Sequence, residues 1–260
     1  MRSHLKNSQL FMSQKYPDKK IIAVLPAYNA EKTLLKTLND IPAGWVDEII
    51  LVDDQSFDRT VELARGQGLI VFEHEKNLGY GANQKTCYAE ALNRQADIVI
   101  MIHPDHQYDP RLVPDLLLPL LRGDADAVFG SRMMRPGGAR EGGMPRWKYV
   151  SNIALTKIEN LVLGLKLTEY HSGFRAYSAQ ALKTVNFLAA ADGFVFDTEI
   201  IIQLKIKKLK ILEVPISTRY FKEASMIGFK KSMLYGLSIL KNLGQYILQS
   251  LNIMQYDKFK

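Results

Sequence analysis

Five short apolar runs, each ending in a polar loop and followed by residues at helical spacing, limit what this chain can fold into. They are Lys20–Leu25 (KIIAVL), Val46–Val52 (VDEIILV), Leu69–Glu73 (LIVFE), Asp97–Ile102 (DIVIMI) and Asp126–Gly130 (DAVFG). Continuous apolar runs of strand length alternating with amphipathic stretches predict an α/β fold with a mostly parallel, doubly wound sheet flanked by helices. The chain has 260 residues, 47% of them hydrophobic, enough for one large domain with a single core. We expect a leader over residues 1–19, the α/β domain over 20–225, and a helical segment over 226–260.

Open parallel sheets bind ligands beyond the carboxyl ends of their strands. The polar loops fall there: Tyr28–Asn29 after the first run, Asp53–Asp54 after the second, and Asn77 and Gly79 after the third. Asp105 follows the fourth and Ser131–Arg132 the fifth. This clustering is the main argument for a site.

The fourth loop, MIHPDHQYDP, has three readings: a metal site, a pair of catalytic acids, or a polar turn. Carboxylates at such an edge suit a hard divalent cation, which prefers oxygen ligands. Asp105 is the best first ligand, and Gln107 can add a carbonyl oxygen or orient a water. His103 and His106 can instead form a transition-metal site, or serve as turn residues beside Pro104. In the second loop, an ionised Asp53 or Asp54 can accept hydrogen bonds from a nucleobase or ribose. Ser56 and Asp58 read mainly as helix caps.

Several classes are disfavoured. NLGYGANQ is a weak Gly-x-Gly after the third strand, with Gln84 at the third glycine position, which argues against a nicotinamide enzyme. No Walker A sequence and no Gly-x-Ser-x-Gly elbow occurs. The single cysteine, Cys87, lies in a helical pattern, reads as packing, and fits a reducing cytoplasm. Net charge is +7 with a pI near 9.3, yet no nucleic-acid reading module is present. No apolar run is long enough to span a bilayer.

The later half is richer in Gly and Arg. MMRPGGAREGGMPR reads as a mobile loop, and Trp147–Leu165 as a long amphipathic helix. HSGFRAYS and ILEVPISTRY read as short strands or connections. Arg132, Arg146, Arg175 and Arg219 each stand beside Gly, Pro or aromatic residues. Their planar forks suit phosphate, against the alternative of plain surface charge. Arg132 and Arg175 are favoured because they follow tight turns (GSR, HSGFR).

Taken together, VLPAYNAEKTL, ILVDDQSFDRT, NLGYGANQ, MIHPDHQYDP, FGSR, HSGFRAYS and FVFDTEI resemble, in order, the motifs of family-two inverting glycosyltransferases with the GT-A fold. Within that family the chain looks most like dolichyl- or polyprenyl-phosphate mannosyl- and glucosyltransferases. The resemblance covers about residues 20–225. It implies that Pro26, Tyr28 and Glu31 line the nucleotide pocket and that Asp53 and Asp54 hold base and ribose, with Asn77 and Gly79 in the adjoining loop. The family's Asp-x-Asp metal motif reads His103-Pro104-Asp105 here, with Gln107 at the trailing polar position. The resemblance implies Mg²⁺ or Mn²⁺ held by Asp105, Gln107, the donor phosphates and water. It also places Arg132 and Arg175, and by extension Arg219, near the donor or acceptor phosphates.

An inverting transfer is one displacement at the anomeric carbon. A hydroxyl acceptor requires a general base, whereas a phosphate acceptor is already an anion and needs matching cations. The arginines favour a lipid phosphate receiving a hexose from a GDP- or UDP-sugar. Asp197 and Glu199 are candidate bases for a hydroxyl acceptor on a surface glycan, or merely acids at a helix start. A non-catalytic nucleotide-sugar-binding protein is a third reading, suggested by His103. Several such transferases carry transmembrane helices after the catalytic domain. Here Phe229–Leu251 reads as a basic amphipathic helix instead, which can lie on an anionic bilayer at the cytoplasmic face or pack on the core.

Overall fold

The computed structural model describes residue 16, residues 18–220 and residues 228–260. The expected leader therefore lies almost wholly outside the described residues, as does the end of the expected catalytic segment. The strands are β1 (Ile21–Ala27), β2 (Glu48–Asp53), β3 (Ile70–Glu73), β4 (Ile98–Met101), β5 (Ala127–Ser131), β6 (Arg175–Ser178) and β7 (Ile211–Pro215). They form one sheet in the order β3-β2-β1-β4-β6-β5-β7. All neighbours pair parallel except β6, which runs antiparallel to both β4 and β5. The mostly parallel expectation holds.

The helices in the first half are α1 (Leu34–Asp40), α2 (Thr60–Gly66), α3 (Tyr80–Asn93) and α4 (Val113–Leu121). The second half adds α5 (Gly138–Glu141), α6 (Arg146–Leu163), α7 (Ala179–Thr184), α8 (Phe196–Ile206) and α9 (Phe229–Ser250). Strand side chains alternate between two cores, as the period of two requires. Ile22, Val24, Ile50, Val52, Val99 and Met101 pack with Tyr88 of α3, Ile200 of α8 and Ile239 of α9. Ile21, Ala23, Leu25, Ile98 and Ile100 pack on the other face with Leu34 of α1 and Leu116 of α4. With both faces covered, the strands read as unbroken apolar runs. Cys87 belongs to the first core, where burial pushes its thiol pKa well up.

Two expectations change. MMRPGGAREGGMPR is not a plain loop: it contains α5, buries Ala139 and Met144, and its Gly142 carbonyl accepts Tyr220 N–H at 2.9 Å. The apolar stripe of α9 is divided. Ile239 and Leu243 face the core, while Met233, Leu234, Leu237, Leu240, Ile247 and Leu251 are exposed. No helix among the described residues is long and apolar enough to cross a membrane.

Candidate active site

The carboxyl ends of β1, β2, β4 and β5 share one sheet edge. Antiparallel β6 brings its amino end to that edge, since Arg175 pairs with Met101 at the end of β4. This is why HSGFR reaches the site. Strand order reverses between β1 and β4, the switch point where open α/β sheets leave a crevice. A cavity of about 960 Å³ lies along the edge, lined also by residues in the amino-terminal halves of α6 and α9.

In the β1–β3 half, the loops hold one another. Asp53 accepts Ser56 N–H at 2.7 Å and the Ser56 hydroxyl at 2.5 Å, and Ser56 Oγ accepts Asn29 N–H at 2.8 Å. Glu31 accepts Arg59 N–H at 2.8 Å, and Asp58 accepts Glu31 N–H at 3.0 Å. Asp58 also accepts Thr60 N–H at the start of α2, as a cap does. Ser56 joins two loops rather than capping a helix. Asp54 accepts Leu78 N–H at 2.8 Å and Gly79 N–H at 2.9 Å, and contacts His74 Nδ1 at 2.8 Å. Gly79 sits at φ +101°, and a Cβ there would lie 2.9 Å from Asp192 O, so only glycine fits. Pro26, Tyr28, Asp54, Asn77 and Gly79 line the cavity; Asp53 and Glu31 lie outside its lining and brace the loops.

The fourth loop forms the centre. Asp105 Oδ1 accepts Gln107 N–H at 3.0 Å, while Oδ2 has no partner among the described residues. Asp105, His103 and Gln107 all line the cavity. The two histidines diverge. His106 is buried at φ +56° and turns away, with Nε2 2.9 Å from Asp40 Oδ2. His103 stacks on Tyr80, with ring centroids 5.7 Å apart, and its Nε2 would meet a Cβ on Gly173 at 2.4 Å. The turn at His106 thus rules out a joint His103–His106 metal site. Burial, partly offset by Asp105 and Asp197, lowers the His103 pKa below the ordinary value and so favours the neutral ring.

A divalent cation fits this centre only as one shared with a ligand. Among the described residues no three His, Cys, Asp or Glu side chains gather to cage a metal. One free carboxylate oxygen beside an amide suits an oxygen-seeking cation that keeps water and phosphate as its other ligands.

The arginines differ in their commitments. Arg132 lines the cavity and pairs with Glu169, which is 2% exposed. Its guanidinium also donates to Tyr220 Oη at 2.9 Å and His171 O at 3.0 Å. Burial alone would raise the Glu169 carboxyl, but Arg132 reverses this and holds it below the usual range. Arg175 is buried behind the cavity wall, donating to Tyr170 O and Ser172 O, each at 2.7 Å, with Asp197 3.4 Å away. Burial works against its charge, yet Asp197 and nearby tyrosines keep its pKa above the ordinary arginine value. Arg219 lies outside the lining and pairs with Asp109 at 3.3 Å, its N–H donating to Gln107 O. Arg146 is exposed and outside the lining; Trp147 and Lys148 line the cavity in its place.

The two candidate bases also part. Asp197 lines the cavity, but its oxygens accept Tyr80 O–H at 3.0 Å and Gln84 N–H at 3.4 Å. Glu199 lies outside the lining, paired with Lys258 at 2.7 Å. Tyr80, His171, Lys231 and Tyr235 also line the cavity, and none of them is among the site residues expected from the sequence. Tyr80 and His171 lie inside quoted motifs. Lys231 and Tyr235 come from α9, over fifty residues beyond the nearest strand-edge motif they face, so no local signal marks them.

The family profile described as Glycosyl transferase family 2 matches residues 22–185, more than half the chain. The chain belongs to this family and is a glycosyltransferase. It is 32% identical over 247 residues to a UDP-N-acetylglucosamine–dolichyl-phosphate N-acetylglucosaminyltransferase of Methanococcus voltae, covering 86% of this chain and 97% of that one. It is 27% identical over 218 residues to the undecaprenyl-phosphate mannosyltransferase of Micrococcus luteus, covering 80% and 88%. Among solved structures, glucosyl-3-phosphoglycerate synthase of Mycobacterium tuberculosis, crystallised with Mn²⁺, UDP-glucose and phosphoglyceric acid, superposes with a TM-score of 0.69. That match covers 96% of this chain and 85% of the other at 22% identity, and it establishes a shared GT-A fold.

Proposed function

We propose that this chain transfers a hexose or related sugar from a nucleotide diphosphate sugar to a polyprenyl phosphate at the cytoplasmic membrane face. The observation that carries the reading is Asp105 Oδ2, a carboxylate oxygen without a partner among the described residues at the switch point. A divalent cation bound there with Gln107 would neutralise the diphosphate leaving group. The nucleotide lies against Pro26, Tyr28, Asn77 and Gly79. The names of the polyprenyl-phosphate-acting relatives support the acceptor class.

Neither carboxylate expected as a base supports the hydroxyl-acceptor reading. A hydroxyl acceptor needs a base with a free lone pair within reach. Asp197 is engaged by Tyr80, Gln84 and Arg175, and Glu199 does not line the cavity. Lys148 and Lys231 do line it, on the α6–α9 side, and suit an anion. α9 also carries an exposed apolar face, and α6 exposes Trp147, Val150 and Leu161. With exposed Lys231 and Lys241, this face suits an anionic bilayer.

Thermal shifts with UDP- and GDP-sugars, with and without Mg²⁺ or Mn²⁺, test the donor and the cation. A cation-dependent rise for one nucleotide is expected; no shift with any of them would sink the donor assignment. Flotation with anionic vesicles tests the membrane contact, and failure to float removes it.

A further inference from the structure

His171 and Glu159 form a pair that the reading above does not use. Glu159, on α6, is fully buried, and its Oε2 lies 2.9 Å from His171 Nε2. Its Oε1 accepts Thr198 Oγ1–H at 3.3 Å, from the start of α8. The approach is a close contact without hydrogen-bond geometry, and neither Glu159 Oε2 nor His171 Nε2 has a hydrogen-bond partner among the described residues. A buried carboxylate is costly unless paired, and well-packed apolar residues would serve a purely structural purpose equally well. Here the pair abuts a cavity, since His171 lines it.

The ring is held from several sides. Arg132 donates to the His171 carbonyl, and Tyr235 of α9 meets the ring edge-on at 5.8 Å. With Nε2 against Glu159, Nδ1 is the nitrogen left for a ligand, and no described residue hydrogen-bonds to it. Among the described residues, the charged and titratable groups placed against His171 are Glu159 from α6, Arg132 after β5, Tyr170 beside it and Tyr235 from α9.

We propose that His171, oriented by Glu159, is the proton-accepting contact for the acceptor's phosphate head group. This rests on the lipid-phosphate reading. A phosphomonoester loses its second proton near pH 6. When the acceptor arrives as the monoanion, its proton passes to His171 Nδ1. A phosphate oxygen then bonds to the anomeric carbon. The bond from that carbon to the nucleotide's terminal phosphate oxygen breaks, and its electron pair leaves with the nucleoside diphosphate. Glu159 faces the positive ring until Nδ1 returns the proton to solvent.

The test compares wild type, His171→Asn and Glu159→Gln with a short-chain polyprenyl phosphate at saturating donor. Kinetics are followed between about pH 5.5 and about pH 8.5. His171→Asn should lower kcat/KM for the acceptor about tenfold at neutral pH, by a factor that changes across this pH range, with the donor KM unchanged. Glu159→Gln should move the same profile less. A second readout does not need turnover: the nitrogen-15 side-chain resonance of His171, assigned by its loss in His171→Asn, should shift when the prenyl phosphate is added. An unchanged resonance, or a loss that is the same at every pH, overturns the proposal. If wild type glycosylates no lipid phosphate, the acceptor reading fails, and the resonance alone decides whether His171 meets the phosphate.

Discussion

The two halves of the cavity are built by different means. On the β1–β3 side, carboxylates and backbone N–H groups bond to one another, so loop shape is the product and few side-chain charges are left free. On the β5–β6 side, Arg132–Glu169, Arg175–Asp197 and His171–Glu159 are buried pairs, and charge balance is the product. Asp105 lies between them with one oxygen that no described residue engages. The lesson is that conspicuous acids need not touch ligand: Asp53 and Glu31 act on loops, and Arg175 acts on the backbone that carries His171.

Variants can break or sharpen this contrast. Asp105→Ala should cost at least about a hundredfold in transfer rate, the scale of losing a group that meets developing charge. Its melting temperature should stay near wild type; substantial remaining turnover would remove Asp105 from the centre.

Arg132→Met strands the Glu169 carboxylate and should destabilise by about 3–5 kcal/mol in urea unfolding. A loss below about 1 kcal/mol would mean water reaches the pair, and the charge-balance description of that half would fail.

Gly79→Ala tests the loop-shaped half. Its positive φ and its 2.9 Å approach to Asp192 O should cost about 1–3 kcal/mol and weaken nucleotide binding while sparing the acceptor KM. Equal losses for both substrates would blur the division.

Acidification reads the pairs from another direction. Glu169 is held below the usual carboxylate range, so its contribution is complete above its unfolded value of about 4.3 and is lost as pH falls through the folded value. Between about pH 6 and about pH 3, the urea midpoint should fall more steeply in wild type than in Glu169→Gln. Parallel slopes would show that Glu169 titrates alike in both states.

The smallest effect is expected at the rim. Arg219→Ala removes a partly exposed pair with Asp109 and should cost about 0.2–1 kcal/mol, with little change in turnover. A large drop in turnover would place Arg219 among the phosphate contacts.

Much of this was legible in the chain because the signals are local. Apolar runs and helical spacing located five of the seven strands and the long helices, left the other two as short strands or connections, and their order put the polar loops at one edge. The quoted motifs contain His103, Asp105, Tyr80 and His171, so the centre of the cavity could be found. The fate of each polar atom could not. Asp54 bonds to residues 78 and 79, Arg175 to Asp197, and Glu159 to His171, and nothing in the residues beside them announces those partners.

The sequence by itself determined the family, the α/β architecture and the edge where chemistry gathers, because periodicity and turn residues act over a few positions. Only the tertiary structure decided that β6 runs backwards to deliver HSGFR to that edge. It also decided that His106 turns to Asp40 while His103 lies on Tyr80, and that α9 gives one side to the core and leaves another bare. Those outcomes depend on contacts between segments far apart in the chain, where burial and pairing select among alternatives that local propensity leaves equal.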